Sequence, residues 1–424
     1  MRFLISAPAS GSGKTTVTLG LLRAISRTEP IHSAKSGPDY IDPAFHAAAT
    51  GLPCVNLDAW AMTPERIKAL AAGAKSLIVE GAMGLFDGAP PAGRGSSADL
   101  AHILNLPVVL VIDAGRMAGS VGALAQGFMR YDPRIHVAGV ILNNVGSLRH
   151  EAMLRAALAD VTIFGSIPRS PALHTGARHL GLVQAQERPD LDAFLDRAAD
   201  LMAQHLDLAA LHNLDAPRPC AGVSSRMAPP AQRIAIARDA AFAFAYPHLL
   251  DDWRAGGAEL QFFSPLADDP APDTDLVYLP GGYPELHAGR LAANQRFMTS
   301  LRQSKAPIFG ECGGYMVLGE GLIDADGQRH EMAGLLQLET SFAQRKLHLG
   351  YRHLHATTGP FAGHWTGHEF HYATTQKATG TPLFTATDAT GTPLPPMGLI
   401  AGRVSGSFAH IIDASPIASA DAPA

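Results

Sequence analysis

Residues 307–319 read PIFGECGGYMVLG: an apolar run enters Gly310-Glu311-Cys312-Gly313-Gly314, and a helix-like stretch follows from Tyr315. This is the pattern of a strand, a tight turn and a helix, in which flanking glycines let the backbone bend and lift one side chain clear of a sheet edge. It therefore demands a sheet with a helix packed behind it. Backbone N–H groups in such a turn are aimed where an oxyanion would form. Cysteine at the apex suits cleavage of an amide, because the thiolate attacks well and the resulting thioester hydrolyses readily. The plainer alternative, a buried free cysteine beside a glycine turn, is weakened by a second signature far upstream.

That signature is Ala7-Pro8-Ala9-Ser10-Gly11-Ser12-Gly13-Lys14-Thr15-Thr16, placed after apolar Phe3-Leu4-Ile5 and before a helical run over residues 17–25. Its glycines let the backbone curl with N–H groups facing phosphate oxygens. Lys14 reaches the β- and γ-phosphates, Thr15 ligates Mg²⁺, and Ser10, Gly11, Ser12, Gly13 and Thr16 complete an ATP cradle at a helix N-terminus. Phosphate loops usually carry glycine where Pro8 stands. The departure sets the chain apart from ordinary GTPases and kinases. It resembles the looser loop of the dethiobiotin-synthetase-like ATPases, whose small residue lies one place earlier, here Ala7.

A chain of 424 residues exceeds one ordinary core and predicts two domains. With 33 basic and 38 acidic residues the net charge is −5, and no basic stripe marks a nucleic-acid partner. No apolar run approaches a membrane span, and the first residues read as a core strand, not a signal peptide. Cys54, Cys220 and Cys312 form neither a CxxC metal pattern nor a disulfide framework, which predicts a reducing, cytoplasmic setting.

Strands are predicted over residues 2–7, 76–80, 107–113, 137–143 and 161–167, separated by helical stretches. Nearly continuous apolar strands of this kind read as a parallel sheet covered on both faces. Residues 1–205 thus form an α/β domain carrying the phosphate loop. The pattern dissolves over residues 206–231 in proline-rich sequence, read as a linker. A second α/β domain, residues 232–413, starts with a strand over 233–238 and another over 276–279. Residues 414–424 are expected to be a disordered tail.

Cys312 needs a base, since a thiol titrating near about 8.5 is mostly protonated at neutrality. His410, in Ser405-Gly-Ser-Phe-Ala-His-Ile-Ile412, follows a strand and a glycine turn downstream of the nucleophile. That order resembles the class I glutamine amidotransferases. In many of these an acid two residues after the histidine orients it; here Ile412 stands there, with Asp413 one place off, so a Cys–His dyad is expected. The alternative for His410 is a core histidine satisfied by backbone. Gly281 and Gly282, in Leu279-Pro-Gly-Gly-Tyr-Pro-Glu285, resemble the oxyanion loop of that domain, completed by the N–H of Gly313.

A glutaminase joined to an ATPase makes amides, and five further blocks sharpen the resemblance. Residues 35–46 (KSGPDYIDPAFH), 54–58 (CVNLD), 79–88 (VEGAMGLFDG), 178–183 (RHLGLV) and 367–372 (GHEFHY) resemble those of the corrinoid a,c-diamide synthases of cobalamin biosynthesis, from residue 1 to about 413. The resemblance implies a dethiobiotin-synthetase-like domain plus a class I amidotransferase-like domain. It also implies ATP and Mg²⁺, glutamine as nitrogen donor, acyl-phosphate intermediates, and the a and c acetates of hydrogenobyrinic or cobyrinic acid as acceptors. The compact, Ala- and Arg-rich chain resembles the aerobic-pathway members, favouring the cobalt-free substrate. A homodimer is expected.

Within that frame Lys35, after a strand, neutralises charge on the transferred phosphoryl group. Thr15, Asp42 and Glu80 are the expected Mg²⁺ ligands. Asp39, Tyr40, Ile41 and Asp87 are expected to face the substrate, Asp113 closes a strand as a Walker-B acid would, and Asn143-Asn144 suit the adenine edge. Of the clustered histidines 348, 353, 355, 364, 368 and 371, His368-Glu-Phe-His371 is not a zinc helix pattern. A strand there would send His368 and His371 to opposite faces. Glu369 and His371 are instead assigned, with Arg352, to the carboxylate fringe of the corrinoid. One alternative is a cobyric acid synthase, whose blocks differ at residues 37–43 and 79–88. Another is a nucleotide-switch regulator related to partition ATPases, against which intact Cys312 and His410 argue.

Overall fold

The computed structural model describes residues 1–170, 184–220 and 226–415, and the chain divides into two compact units at residues 224 and 225. The first unit is built on β1 (Arg2–Ser6), β2 (His32–Ser36), β3 (Cys54–Leu57), β4 (Leu77–Glu80), β5 (Val108–Asp113), β6 (Val137–Val145) and β7 (Ile163–Pro168). They form one parallel sheet in the order β3-β2-β4-β1-β5-β6-β7. Helices cover both faces, which is why β1, β4 and β5 are almost unbroken apolar runs. Strand β3 escaped the sequence reading and β2 was expected only to end before Lys35, because polar residues interrupt the apolar pattern of both. Lys35 accordingly lies within β2, not after it.

Helix α1 (Lys14–Ser26) packs its apolar face, Val17, Leu21 and Ile25, onto Phe194, Leu195 and Met202 of the helix Leu191–His205. Phe3 and Ile5 of β1 lie in the same cluster and are 0% exposed. Each such side chain contributes about 1.5–3 kcal/mol by leaving water. Part of the expected linker belongs to this unit. Leu208–His212 is helical, Leu206 and Leu211 are buried in the core, and Leu214 O accepts the Arg2 N–H at 2.8 Å. Turn-forming residues spoke for a linker, but apolar residues at intervals among them anchor the segment.

The second unit contains β8 (Arg233–Ala237), β9 (Glu259–Phe263), β10 (Leu276–Leu279), β11 (Ile308–Glu311), β12 (Gly321–Ile323), β13 (Arg329–Glu331), β14 (Leu338–Ser341), β15 (His348–Ala356), β16 (Gly363–His371), β17 (Thr374–Ala378), β18 (Phe384–Asp388), β19 (Pro393–Met397), β20 (Leu399–Ala401), β21 (Val404–Ser407) and β22 (His410–Ala414). The central sheet runs β20-β21-β11-β10-β8-β9, parallel except for the β20 hairpin. A small sheet, β13-β12-β14-β17, and an antiparallel sheet, β19-β18-β15-β16-β22, are built from strands inserted between β11 and β20, with β22 added after the central sheet. The core gathers Val277, Leu279 and Ile308 with Tyr315, Met316 and Val317 of the helix Gly313–Leu318. The expected tail begins within structure: Ala414 ends β22 and Ser415 N donates to His364 O at 3.0 Å, while residues 416–424 lie outside the described part. No helix among the described residues is long and apolar enough to cross a membrane.

Gly20, on α1, sets how closely the two helices approach. A Cβ added there would stand 2.6 Å from Met202 Cγ and 2.8 Å from Ala198 O. Alanine gains up to about 1 kcal/mol of helix propensity, against about 1–3 kcal/mol for an overpacked contact that includes backbone. Gly20→Ala is therefore expected to destabilise the protein by about 1–2 kcal/mol, and urea denaturation showing a gain in stability would contradict this packing.

Candidate active sites

The loop between β1 and α1 takes the strand–loop–helix form expected of it. Gly11 and Gly13 adopt φ of 82° and 86°, a region that side chains resist. Asn143, at the end of β6, donates from Nδ2 to Ser12 O at 2.9 Å. Its amide therefore braces the phosphate loop, and the residue also lines the cleft beside it. A cleft of about 290 Å³ opens beside the loop, lined by Gly11, Gly13, Lys14, Thr15, Thr16, Asn143 and Asn144, with Ile167 and Pro168 as apolar wall. Those two β7 residues were missed, having no polar signature. Ser10 lies on the exposed side of the loop, and Ser12 Oγ closes it by donating to Ala9 O at 2.9 Å.

Behind the loop lies a buried ionic cluster. Lys35 and Glu80 are register partners on β2 and β4, which sets them side by side. Lys35 Nζ donates to Glu80 Oε1 at 2.9 Å and to Asp42 Oδ2 at 2.5 Å, and Thr15 Oγ1 donates to the same Glu80 oxygen at 2.6 Å. His46, from α2 (Asp42–Thr50), meets Glu80 Oε2 at 2.7 Å. Its other ring nitrogen lies 3.6 Å from Cys54 Sγ. Glu80 and His46 are 0% exposed and Lys35 4%. Burial alone would raise the Glu80 pKa, but Lys35, His46 and Lys14 outweigh it and hold the carboxylate well below its ordinary range. Burial also opposes the Lys35 ammonium, yet Glu80, Asp42 and Asp39 hold its pKa well above normal. Lys14 shifts the other way: burial and neighbouring Lys35 lower its pKa against the pull of the acids. Burial, with Asp39 adding to it, pushes Asp42 up to about 7. Burial opposes a charged His46, but Cys54 and Glu80 lift it to about 10.

The donor chemistry at this cluster fits a hard divalent cation. Thr15, Glu80 and Asp42 offer oxygen alone, one neutral and two acidic, and the Thr15 hydroxyl already touches Glu80. The remaining expectations divide. Asp39 Oδ1 accepts the N–H groups of Ile41 and Asp42 at 2.8 and 3.1 Å, so it starts α2 while its other oxygen lies 4.0 Å from Lys35 Nζ. Tyr40 is half-buried, and Ile41 is 7% exposed, a packing residue here. Asp87 Oδ2 accepts the Gly84 N–H at 2.9 Å, closing its own turn. Leu85 N in that turn donates to Ala7 O at 2.9 Å, so the turn sits against the phosphate loop. Asp113 is exposed and bonded to Gly115 N and Asn144 Nδ2. Residues 178–183 lie outside the described part.

In the second unit Cys312 sits at the apex between β11 and its helix with φ 47° and ψ −102°, a strained region for a residue with a side chain. Its N–H donates to Ser407 O at 2.8 Å, and the thiol is buried. The flanking glycine is a steric necessity: a Cβ on Gly314 would stand 2.0 Å from Leu279 O. Gly281 brings the two expected catalytic groups together. A Cβ there would stand 2.2 Å from His410 Cε1, 2.9 Å from its Nε2 and 3.3 Å from Cys312 Cβ. Imidazole and thiol side chain thus face one space, and only glycine leaves it open. Gly282 N lies 3.0 Å from where a Gly313 Cβ would be, so the Gly281-Gly282 loop packs on the nucleophile turn as an oxyanion loop must. Burial and the charge of Glu285 push the Cys312 thiol well above its ordinary pKa, Glu311 and Glu369 add to this, and the Gly313 N–H opposes them. Burial, then the charges of His368 and His371, push His410 down to about 3. At neutral pH the resting pair is therefore a neutral thiol and a neutral imidazole.

Glu311, the residue before the nucleophile, was missed. Its Oε2 accepts the Tyr278 hydroxyl at 2.7 Å and lies 3.6 Å from His410 Nδ1; its Oε1 accepts the Ile411 N–H at 3.1 Å. The available signal was a lone charge in the otherwise apolar strand β11. In the histidine-rich sheet, β15 and β16 pair without irregularity, so His368 and His371 do lie on opposite faces. His371 stacks between His348 and Phe408, with centroids at 4.6 and 3.9 Å. Glu369 links His371 Nε2 at 2.9 Å to the guanidinium of Arg352 at 2.7 Å. Ligand atoms of His348, Glu369 and His371 lie within 4.8 Å of one another, a closeness that sequence spacing did not reveal, but Arg352 already engages the carboxylate.

The Glu80 cluster has a consequence for stability. Removing one partner of a buried ion pair costs about 3–5 kcal/mol, so Glu80→Gln is expected to destabilise the protein by that amount at neutral pH. Because folding depresses this pKa, the stabilisation is complete above the ordinary glutamate value of about 4.3 and is lost as pH falls below it. Urea denaturation of both proteins should show the wild-type advantage narrowing in acid, and an advantage that widens there would contradict the depressed pKa.

Each unit matches a known domain family. Residues 3–183 match a CobQ/CobB/MinD/ParA nucleotide binding domain, and residues 233–416 match a CobB/CobQ-like glutamine amidotransferase domain. A protein of Brucella anthropi named hydrogenobyrinate a,c-diamide synthase is 54% identical over 428 residues, covering 97% of this chain and 98% of the relative. Proteins of the same name from a Sinorhizobium species and Rhodobacter capsulatus are 55% and 51% identical, covering 97% and 96% of this chain and 98% of each relative. An α/β nucleotide-binding unit joined to an amidotransferase unit, matched end to end at this identity, leaves one conclusion: the chain belongs to the hydrogenobyrinate a,c-diamide synthase family.

Proposed function

We propose that this enzyme amidates the a and c acetate carboxylates of hydrogenobyrinic acid, using ATP and ammonia released from glutamine, in cobalamin biosynthesis. The observation that carries the reading is the convergence of Cys312 and His410 on the space beside Gly281, in a chain that also holds a lysine-bearing phosphate loop. In the amidotransferase unit the Cys312 sulfur attacks the glutamine side-chain carbonyl while His410 takes the thiol proton. The N–H groups of the Gly281-Gly282 loop and Gly313 receive the oxyanion. As the C–N bond breaks, His410 returns the proton to the leaving nitrogen; water then hydrolyses the thioester to glutamate.

In the nucleotide unit an acetate oxygen attacks the γ-phosphorus of ATP, giving an acyl phosphate and ADP. Lys14 and Lys35 neutralise charge on the transferred group, where electrostatics and positioning do most of the work. Thr15, Glu80 and Asp42 would hold Mg²⁺, which neutralises phosphate charge when bound. Ammonia then attacks the acyl carbon and phosphate departs. On this reading Glu369, His371 and Arg352, with Asp39, Tyr40 and Asp87, serve corrinoid recognition. The reaction belongs in the cytoplasm, which suits three free cysteines.

Cys312→Ala is expected to lower glutamine-dependent amidation by at least about a thousandfold. Activity with high free ammonia should remain, since the phosphoryl site is separate. Lys14→Ala should remove amidation from both nitrogen sources. Loss of both activities in a folded Cys312→Ala protein would overturn the two-site reading. Because the reacting acetates hang at the macrocycle rim, cobyrinic acid should be accepted within about tenfold in kcat/KM, or about 1.4 kcal/mol of transition-state binding. A thousandfold preference would mean that the site senses the metal centre.

A further inference from the structure

We infer that Glu311 is the positioning residue for His410: its carboxylate keeps Nδ1 protonated and turned inward, leaving Nε2 to take the proton of Cys312. The inference rests on the reading of Cys312 and His410 as the glutamine-hydrolysing pair. Nucleophile–histidine sites need a group that fixes the ring's tautomer and favours the imidazolium once the proton arrives. The position two residues after His410 offers none, because Ile412 is apolar and its carbonyl accepts from His248 Nε2 at 2.8 Å. Asp413 Oδ1 accepts the Ala414 N–H at 2.9 Å.

Glu311 supplies the acid from a different element. It ends β11, adjacent to β10, which carries Tyr278, while His410 and Ile411 belong to β22. The carboxylate is 1% exposed, accepts from the Tyr278 hydroxyl at 2.7 Å and the Ile411 N–H at 3.1 Å, and lies 3.6 Å from His410 Nδ1. Among the described residues no lysine or arginine pairs with it, so the charge that its ionised form can meet is the imidazolium. His410 turns Nδ1 toward Glu311 and its Nε2 edge toward the space beside Gly281 and Cys312, and the nearby His368 and His371 of β16 oppose its protonation. A carboxylate at Nδ1 offsets that opposition while the thiol proton resides on Nε2. The separation of 3.6 Å is wide for a resting hydrogen bond, and such contacts tighten when substrate charges the pair.

The carboxylate must be ionised to act, and burial pushes Glu311 up to about 7. Wild-type kcat for glutamine hydrolysis should therefore rise as pH passes through about 7. Glu311→Gln preserves shape and removes the charge. It should lower kcat about a hundredfold with KM for glutamine within about twofold, and abolish that limb of the pH profile. Glu311→Asp should recover part of kcat and keep the limb. Nitrogen NMR of histidine-labelled wild-type protein should find Nδ1 of His410 protonated and Nε2 bare, independently of any variant. A folded Glu311→Gln protein with wild-type kcat, a reduced kcat with the limb intact, or the opposite tautomer would each overturn the inference. Cys312→Ala separates the two readings. If it retains glutamine hydrolysis the pair itself is wrong, whereas if it loses hydrolysis while Glu311→Gln does not, Glu311 alone is misassigned.

Discussion

Glu80 is a carboxylate with no exposure to water, and the nucleotide unit is arranged around keeping it charged. Withdrawing such a group from solvent costs several kcal/mol unless partners surround it. Those partners come from separate segments: Thr15 at the start of α1, Lys35 on β2 and His46 on α2. They meet only if β4 lies between β1 and β2, which is the observed strand order. The sheet topology and the phosphate site are thus two aspects of one requirement. The same partners leave a cluster of opposed charges next to Lys14, ready to be rebalanced when phosphates enter.

The amidotransferase unit solves a different problem, that of bringing a reactive thiol and a base together without letting either relax away. Strain at Cys312 is sustained because Gly314 sits hard against the Leu279 carbonyl and Ser407 holds the Cys312 N–H. Rigid neighbours of this kind permit an unfavourable backbone angle to persist. Burial then keeps thiol and imidazole uncharged until substrate arrives. Glu311 belongs to the same logic, since its carboxylate matters most once the imidazole carries charge.

The local motifs were legible because their geometry is local. Gly11, Gly13, Lys14 and Thr15 act through consecutive backbone geometry, as does Gly310-Glu311-Cys312-Gly313-Gly314, and each was found where expected. Parallel strands with buried faces showed as apolar runs, while β2 and β3 did not, because they carry polar residues that bond inside the unit: Lys35 to Glu80 and Asp42, and Asn56 to the carbonyls of Gly37 and Asp39. The helical turn Leu208–His212 was hidden among turn-forming residues that masked its buried Leu211. The histidine cluster was visible as composition, but the contacts of Glu369 with Arg352 and of His371 with His348 depend on how β15 and β16 align.

By itself, then, the sequence determined two α/β units, a glycine-rich loop of phosphate-loop form and a cysteine at the apex of a strand–turn–helix, since each is written in neighbouring residues whose spacing matches backbone geometry. Only the tertiary structure decided that Lys35 and Glu80 are register partners, that Asn143 braces the loop, that Gly281 opens the space shared by Cys312 and His410, and that Glu311 faces the far side of that imidazole. The physical reason is that strand order and register bring together residues remote in the chain, and a buried charge can be satisfied only by whatever that order delivers to it.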